Sequence, residues 1–457
     1  MKKTGWHEDV SAVAIGMAVV ILALAVAWQA RPPADAGSRA TFPKGWPTSL
    51  TQTVGSPTSW SADPLDAVRD RQGGIDFQPI LLGMGWVVAI GLAGAALGRR
   101  RTGTVLPGLV LLALLACFAY WLAAQKAVKY YNLEYPLWAL AVGLFVGNAA
   151  GVPRWVVPAL MGEFFIKTGL VIFGAEVLVS RLLALGLPGL LTAWIVTPIV
   201  LVTTYLFGVH VLKISSRSLC MTLSADMSVC GVSAAIATGA ACKATKEELS
   251  LTIGLSLFFT VIMMVVMPPV IQAMGLDPLV GGAWLGGTID ATGAVVAAGE
   301  TIGKQAGEVA ATVKMIQNTM IGLIAFAVAV YWSGWVDRES DGPQGTLLGE
   351  AWNRFPRFIL GFLGTSLVCS WLHSLGAEQA LWVEGATSGF TSKLRGWLFC
   401  SGFVCMGLQT NFRQLAPVLS SGRPVVLYVA GQSLNLVLTL AMASLTFGWL
   451  FRKAVES

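Results

Sequence analysis

Long uncharged apolar runs recur along this chain, and they constrain its fold more than any other feature. Thirteen segments stand out, at about 9–30, 77–98, 104–125, 135–150, 157–180, 186–208, 218–242, 248–274, 280–300, 306–334, 357–374, 384–411 and 424–450. A bilayer core about 30 Å thick is crossed by about 20 apolar helical residues, and in lipid every backbone polar group needs an internal partner. The pattern predicts an all-α polytopic membrane protein of about 13 transmembrane segments. Charged residues make up 12% of the chain, against about 25% in soluble domains.

The net charge of +6 does not point to nucleic acid, because the 30 basic residues sit mostly in the loops between apolar runs, where Lys and Arg gather in membrane proteins. The cysteines at 117, 220, 230, 242, 369, 400 and 405 lie in or beside apolar runs, without a CxxC pair. They read as small core residues, with no zinc or other metal site. GxxxxGK[ST], GxSxG and HExxH are all missing from the sequence, so neither an ATP motor nor an enzyme is expected, and no cofactor.

Four regions follow. Residues 1–102 form an N-terminal extension with two membrane helices and a polar extracytoplasmic loop, 31–76; the first helix is expected to be retained, its apolar run being long for a signal peptide. Residues 103–334 form a first block, 335–356 a polar linker and 357–457 a second block. Gly169-Leu-Val-Ile-Phe-Gly174-Ala-Glu176 is echoed by Gly402-Phe-Val-Cys-Met-Gly407-Leu-Gln409. The two copies lie an odd number of segments apart, so the repeats are expected to be inverted, an arrangement found in secondary transporters.

Two segments are rich in small and polar residues where their neighbours are rich in Leu and Val: 218–242, with Ser224-Ala-Asp226-Met-Ser228-Val-Cys230-Gly231-Val-Ser233, and 280–300, with Gly286-Gly287-Thr288-Ile-Asp290-Ala-Thr292-Gly293. Both are expected to be discontinuous helices near the midplane. If one is re-entrant, the orientation of everything after it flips. Close helix packing explains the small residues, but not Asp226 and Asp290. A carboxylate inside a membrane costs several kcal/mol, of order 3 even on lenient scales, and marks an ion pathway or a fixed partner. Asp290 and Asp226 are therefore the candidate carriers of a coupling ion, H+ or Na+. The competing explanation is a static pair with Lys314 on the next helix. Lys314, Ser228, Gly231, Ser233, Thr288, Thr292 and Gly293 are the candidate holders of a small anion. Glu176 and Gln409, at matching repeat positions, are candidates to line its path. Glu163 and Lys167, four residues apart, are expected to form a local ion pair.

These residues bring a family into view. Cys230 to Pro268, opening CGVSAAIAT, resembles the YeiH-like sulfate exporter family, as do GGTIDATGAVVAAG (286–299), Val313-Lys314-Met315, LWALAVGLFVGN (137–148) and MGLQT before Arg413. The resemblance runs from about residue 105 to 450. It implies a secondary carrier of the inner (plasma) membrane, related to cation/proton antiporters, that exports sulfate or a similar small anion. The chain departs from the family pattern where it carries Asp290-Ala-Thr-Gly-Ala294 in place of His-Glu-Val-Ala-Gln, Asp226 in place of Gly, and Gln317 in place of Arg.

The expected function is secondary transport of a small anion or organic acid coupled to H+ or Na+, with the lipid bilayer, the anionic solute and a second copy in a homodimer as partners. The alternatives are a cation/proton antiporter without an organic substrate and a membrane-embedded enzyme or sensor.

Overall fold

The computed structural model describes residues 4–29, 54–69, 74–130, 135–176, 179–336, 357–410 and 422–452. Most of the 31–76 loop, the 335–356 linker from residue 337 on, and the turn after Gln409 with Arg413 lie outside the described residues. The described elements are helical, without a strand among them. Eight helices are long and apolar enough to cross a membrane, and three shorter apolar helices accompany them. The chain is an all-α, multi-pass membrane protein.

Two compact units interleave in sequence: Met1–Ser180 with Arg357–Asn411, and Arg181–Pro356 with Phe412–Ser457. This grouping cuts across the consecutive blocks read from the sequence, because late helices pack on early ones. In the first unit, numbering along the whole chain, lie α1 (Thr4–Gln29), α2 (Gln78–Leu97), α3 (Thr102–Ala123), α4 (Tyr135–Ala149), α5 (Gly162–Gly174), α14 (Phe358–Ser374), α15 (Ala377–Gly385) and α16 (Ser392–Gln409). α16 packs on α4 and α5, and α14 on α5. Gly143 and Gly147, four apart on α4, let the backbones touch: a Cβ at Gly147 would stand 2.9 Å from Leu408 O, the small-xxx-small contact that draws membrane helices together. α1 docks through Asp9, whose carboxylate accepts from Arg357 N at 3.0 Å and pairs with Lys167 at 2.9 Å.

The second unit holds α6 (Val179–Leu206), α7 (Arg217–Ser228), α8 (Val232–Ala241), α9 (Lys246–Ala273), α10 (Pro278–Thr288), α11 (Thr292–Ile302), α12 (Lys304–Asn318), α13 (Met320–Tyr331) and α17 (Arg423–Ala443). Both small-residue segments are broken, as the sequence suggests, and each folds back on itself. Cys242, just past α8, places Sγ 3.8 Å from Ser218 O at the start of α7, and a Cβ at Gly239 would lie 3.0 Å from Thr222 Cγ2. α8 therefore returns antiparallel along α7. In the second segment α11 runs antiparallel to α12, with Thr292 bonded to Asn318 at 3.0 Å and Gly299 against Gly307. α10 runs parallel to α12, its Gly282 against Ala306 and Gly286 against Ala310. α10 and α11 thus form a second hairpin. Each arm has 10 to 12 residues, or about 15–18 Å, roughly half a bilayer core.

The hairpins enter from opposite ends of the unit. Along α9, Glu248 bonds Ser218 at the base of the first hairpin, and Ile271, more than twenty residues on, packs against Gly281 at the base of the second. The tips, Val229–Gly231 and Ile289–Ala291, meet between these ends, and a Cβ at Gly231 would stand 3.3 Å from Asp290 Cβ. The spans Leu185–Val211 and Lys304–Tyr331 each reach the tips at their own middle, through Thr197 and Gln317.

Candidate functional site

The site is built where the two hairpin tips touch. The tight turn of the first tip needs glycine. Gly231 has φ 57° and ψ −122°, a region closed to side chains, and a Cβ there would sit 2.6 Å from Ser256 Oγ.

A helix that stops inside a protein leaves its last four carbonyls without partners. At the end of α7 all four are met. Asp226 O accepts from Gly231 N at 3.0 Å and Met227 O from Asn435 Nδ2 at 3.1 Å. Ser228 O accepts from Gln317 Nε2 at 2.9 Å and from Thr197 Oγ1 at 3.1 Å, and Val229 O from Lys314 Nζ. At the end of α10, Gly287 O accepts from Gln317 Nε2 at 3.2 Å and Thr288 O from Gln432 Nε2 at 3.1 Å. Gln317 thereby joins the two hairpins. Lys314, placed where the partial negative charge of α7 concentrates, donates also to Gln317 Oε1 at 2.8 Å. Its bonded partners are thus a carbonyl and an amide rather than a carboxylate.

The carboxyls sit at the same tips, within electrostatic reach of the Lys314 ammonium. Asp226, in the last turn of α7, and Asp290, just ahead of α11, are 0% and 1% exposed. Tyr428 of α17 bridges them: its hydroxyl donates to Asp290 Oδ2 at 2.5 Å and stands 3.4 Å from Asp226 Oδ2. The phenol ring is fixed by stacking on Phe259 at 4.7 Å. Gln432 Nε2, one turn further along α17, is 3.5 Å from both Asp290 oxygens, and Ser256 of α9 stands beside Asp226. Three buried oxygens of this cluster have no partner: Asp226 Oδ1, Thr288 Oγ1 and Gln432 Oε1. A tyrosine has one proton to give, so it cannot donate to both carboxylates at once. With one ammonium, Lys314, against two carboxyls, the cluster is short of one positive charge or one proton. Among the described residues no group of three His, Cys, Asp or Glu side chains is arranged to hold a metal ion.

Several other sequence-selected residues also fall at the tips. Ser228 and Thr288 are buried, and Thr292 Oγ1 accepts from Asn318 Nδ2 at 3.0 Å. Gly231 and Gly293 are buried at the N-terminal ends of α8 and α11, which have no capping side chain. Ser233, the second residue of α8, is exposed. Glu176 and Gln409 belong to the first unit. The Glu176 carboxylate takes two bonds at 3.1 Å from Arg395, whose guanidinium lies over the Phe173 ring. Gln409 is exposed and donates to Leu160 O at 3.3 Å. Glu163 and Lys167 pair at 2.9 Å, as their spacing predicts.

The sequence reading found the segment of α17 but missed its polar face. Tyr428, Gln432, Asn435 and Thr439 recur at intervals of four, three and four residues, one polar face on an otherwise apolar helix. That periodicity was the available signal. Thr439 packs on Gly287 and bonds Asn435 at 2.9 Å, extending the face to the second hairpin.

Comparison with known proteins agrees with a membrane protein. The family described as conserved hypothetical protein 698 matches over residues 107–427. A UPF0324 membrane protein of Rhodopirellula baltica is 56% identical over 414 residues, covering 90% of this chain and 75% of the relative. One from Nitratidesulfovibrio vulgaris is 50% identical over 359 residues, covering 77% and 62%; this chain thus spans less than two thirds of that relative. The UPF0324 membrane protein TauZ of Paracoccus denitrificans is 28% identical over 321 residues, covering 68% and 87%. No solved structure matches. With most of its length matched, both hairpins included, the chain belongs to the conserved hypothetical protein 698 family, the family of UPF0324 membrane proteins to which its YeiH-like motifs point.

Proposed function

We propose that this chain is a secondary active transporter of the inner (plasma) membrane that moves a small anion or organic acid, of which sulfate is one, coupled to H+ or Na+ at Asp226 and Asp290. One observation carries this reading: two fully buried carboxyls share a single tyrosine hydroxyl at the junction of opposed hairpins, and Asp226 Oδ1 lacks any partner. A fixed structural lock would pair each carboxylate with a cation, because an uncompensated buried charge is strongly destabilising. Lys314, the lock of the competing explanation, feels both carboxylates electrostatically but gives its hydrogen bonds to Val229 O and Gln317 Oε1. One ammonium cannot neutralise two carboxylates, so a second neutralising charge has to arrive and leave. The uncapped N-terminal ends of α8 and α11, close to the same junction, aim partial positive charge at an anion, and meeting hairpins are the kind of irregular backbone that membrane interiors accept where a cavity is lined. The two repeats read at 169–176 and 402–409 fit the inverted architecture of such carriers.

Flux into proteoliposomes tests this reading, using sulfate, sulfonates, carboxylates, Na+ and K+ in turn. The expected outcome is solute-dependent uptake whose dependence on pH or Na+ is lost in Asp290→Asn or Asp226→Asn. Proton flux driven by Na+ or K+ gradients alone would favour the antiporter without an organic substrate. Unchanged coupling in both variants would overturn the assignment of the carboxyls.

A further inference from the structure

Two polar rows face each other between α7 and α9. On α7, Ser218, Thr222 and Asp226 recur every four residues; on α9, Glu248, Thr252 and Ser256 do the same. Residues four apart share a helix face, and contacts at both ends set the register. Ser218 Oγ donates to Glu248 Oε2 at 2.8 Å at the base of the hairpin, and Ser256 stands beside Asp226 at the tip. Thr222 and Thr252 are therefore level with each other between these contacts, both at 0% exposure. The row from Glu248 to Ser256 rises about 12 Å. Glu248 is the only half-exposed member on α9 among the three, its carboxylate held by Ser216, Ser218 and the backbone N–H of Thr245.

Thr252, like Thr204 and Ser224, departs from the usual bonding of a helical hydroxyl. A hydroxyl inside a helix usually donates to the carbonyl four residues back, and Thr192, Thr222, Thr238 and Thr312 all do so. Thr252 Oγ1 is buried with no partner, as is Asp226 Oδ1 at the end of the row. Leaving a buried hydroxyl unbonded costs about 1–3 kcal/mol, whereas a buried water commonly bonds such groups. The two orphan oxygens on one seam call for a water-sized guest.

We propose that this seam is the proton path to Asp226, entering beside Glu248 and passing Thr252 and Ser256. It rests on the transporter reading above and supplies its route. Each hydroxyl or water accepts one proton and releases another, so the seam keeps its own proton count and Asp226 gains one. At the inner end Asp226 has Asp290 across the tips, Tyr428 on α17 and Lys314 on α12 as its titratable neighbours; the Asp290 carboxylate attracts the incoming proton and the Lys314 ammonium opposes it. Leu255, beside the row, is at 0% exposure in the apolar core.

Two measurements test the path without knowing the solute. In Thr252→Cys and Ser256→Cys, a small charged methanethiosulfonate applied from the Glu248 side is expected to label above the background of the unsubstituted protein, and Leu255→Cys is not. Equal silence of both seam cysteines, or labelling only from the opposite side, would overturn the path. In a pH-jump infrared experiment, the carboxyl band removed by Asp226→Asn is expected to respond roughly tenfold or more slowly in Thr252→Val, a change of about 1.4 kcal/mol in barrier, and at the native rate in Thr252→Ser. A native rate in Thr252→Val sinks the path while leaving coupling at Asp226 intact. Absence of any band removed by Asp226→Asn sinks both.

Discussion

At the scale of single residues, the chemistry turns on how one hydroxyl is shared. Tyr428 Oη is 2.5 Å from Asp290 and 3.4 Å from Asp226, so the shorter bond takes the phenolic proton and the longer contact is satisfied only when Asp226 brings a proton of its own. Asp226 then donates to Tyr428 and Tyr428 to Asp290, a chain in which each of the two contacts has one donor. Tyr428→Phe keeps the ring stacked on Phe259 and removes the link. The expected result is normal expression and elution with proton-coupled flux down about tenfold or more, in keeping with the loss of a positioned proton-transfer group; native flux would show that the carboxyls communicate by another route. The two aspartates were legible in the sequence because a carboxylate in an apolar run needs a reason. Tyr428 was not, since a lone tyrosine in a membrane helix equally suits an interfacial anchor, and only its spacing to Gln432, Asn435 and Thr439 betrays a buried polar face.

At the scale of elements, the hairpins hold because a third helix serves both. α12 contributes Lys314 to the end of α7 and Gln317 to the ends of α7 and α10, which turns two frayed helix ends into one satisfied junction. Gln317→Leu keeps much of the side-chain volume and strips the shared donors from Ser228 O and Gly287 O and the acceptor from Lys314. The expected cost is about 3 kcal/mol, from buried groups left unmet, read as a lower unfolding temperature in detergent; a change within about 0.5 kcal/mol, the range of an uninvolved surface site, would mean that the tips stand without this clasp. The breaks themselves were readable from the texture of 218–242 and 280–300. Their fold-back was not, because apolar length reports how far a segment can reach and carries no sign of its direction. Re-entry is fixed by tertiary contacts such as Cys242 with Ser218 and Gly239 with Thr222.

At the scale of the molecule, the segment count and the direction of the chain are linked. A hairpin returns the chain to the side it entered from, so 218–242 and 280–300 contribute half-helices in pairs, and the thirteen apolar runs do not translate into thirteen crossings. Of the described helices eight have the length and polarity of a span. The opposed entry of the hairpins follows from α9, which carries the chain from the base of one to the base of the other over Glu247–Ala273, a candidate span in its own right. About 27 residues of helix rise about 40 Å, more than a bilayer core, so an α9 that crosses the membrane sets the two bases on opposite faces of it. Lys243, beside the first base, and Lys304, beside the second, are both exposed. An impermeant thiol reagent added outside intact cells is expected to label one of Lys243→Cys and Lys304→Cys above the unsubstituted background, and the other only after permeabilisation. Labelling of both from one face would place the hairpins side by side, remove the mid-depth position of Asp226 and Asp290, and with it the reason for a mobile ion to visit them.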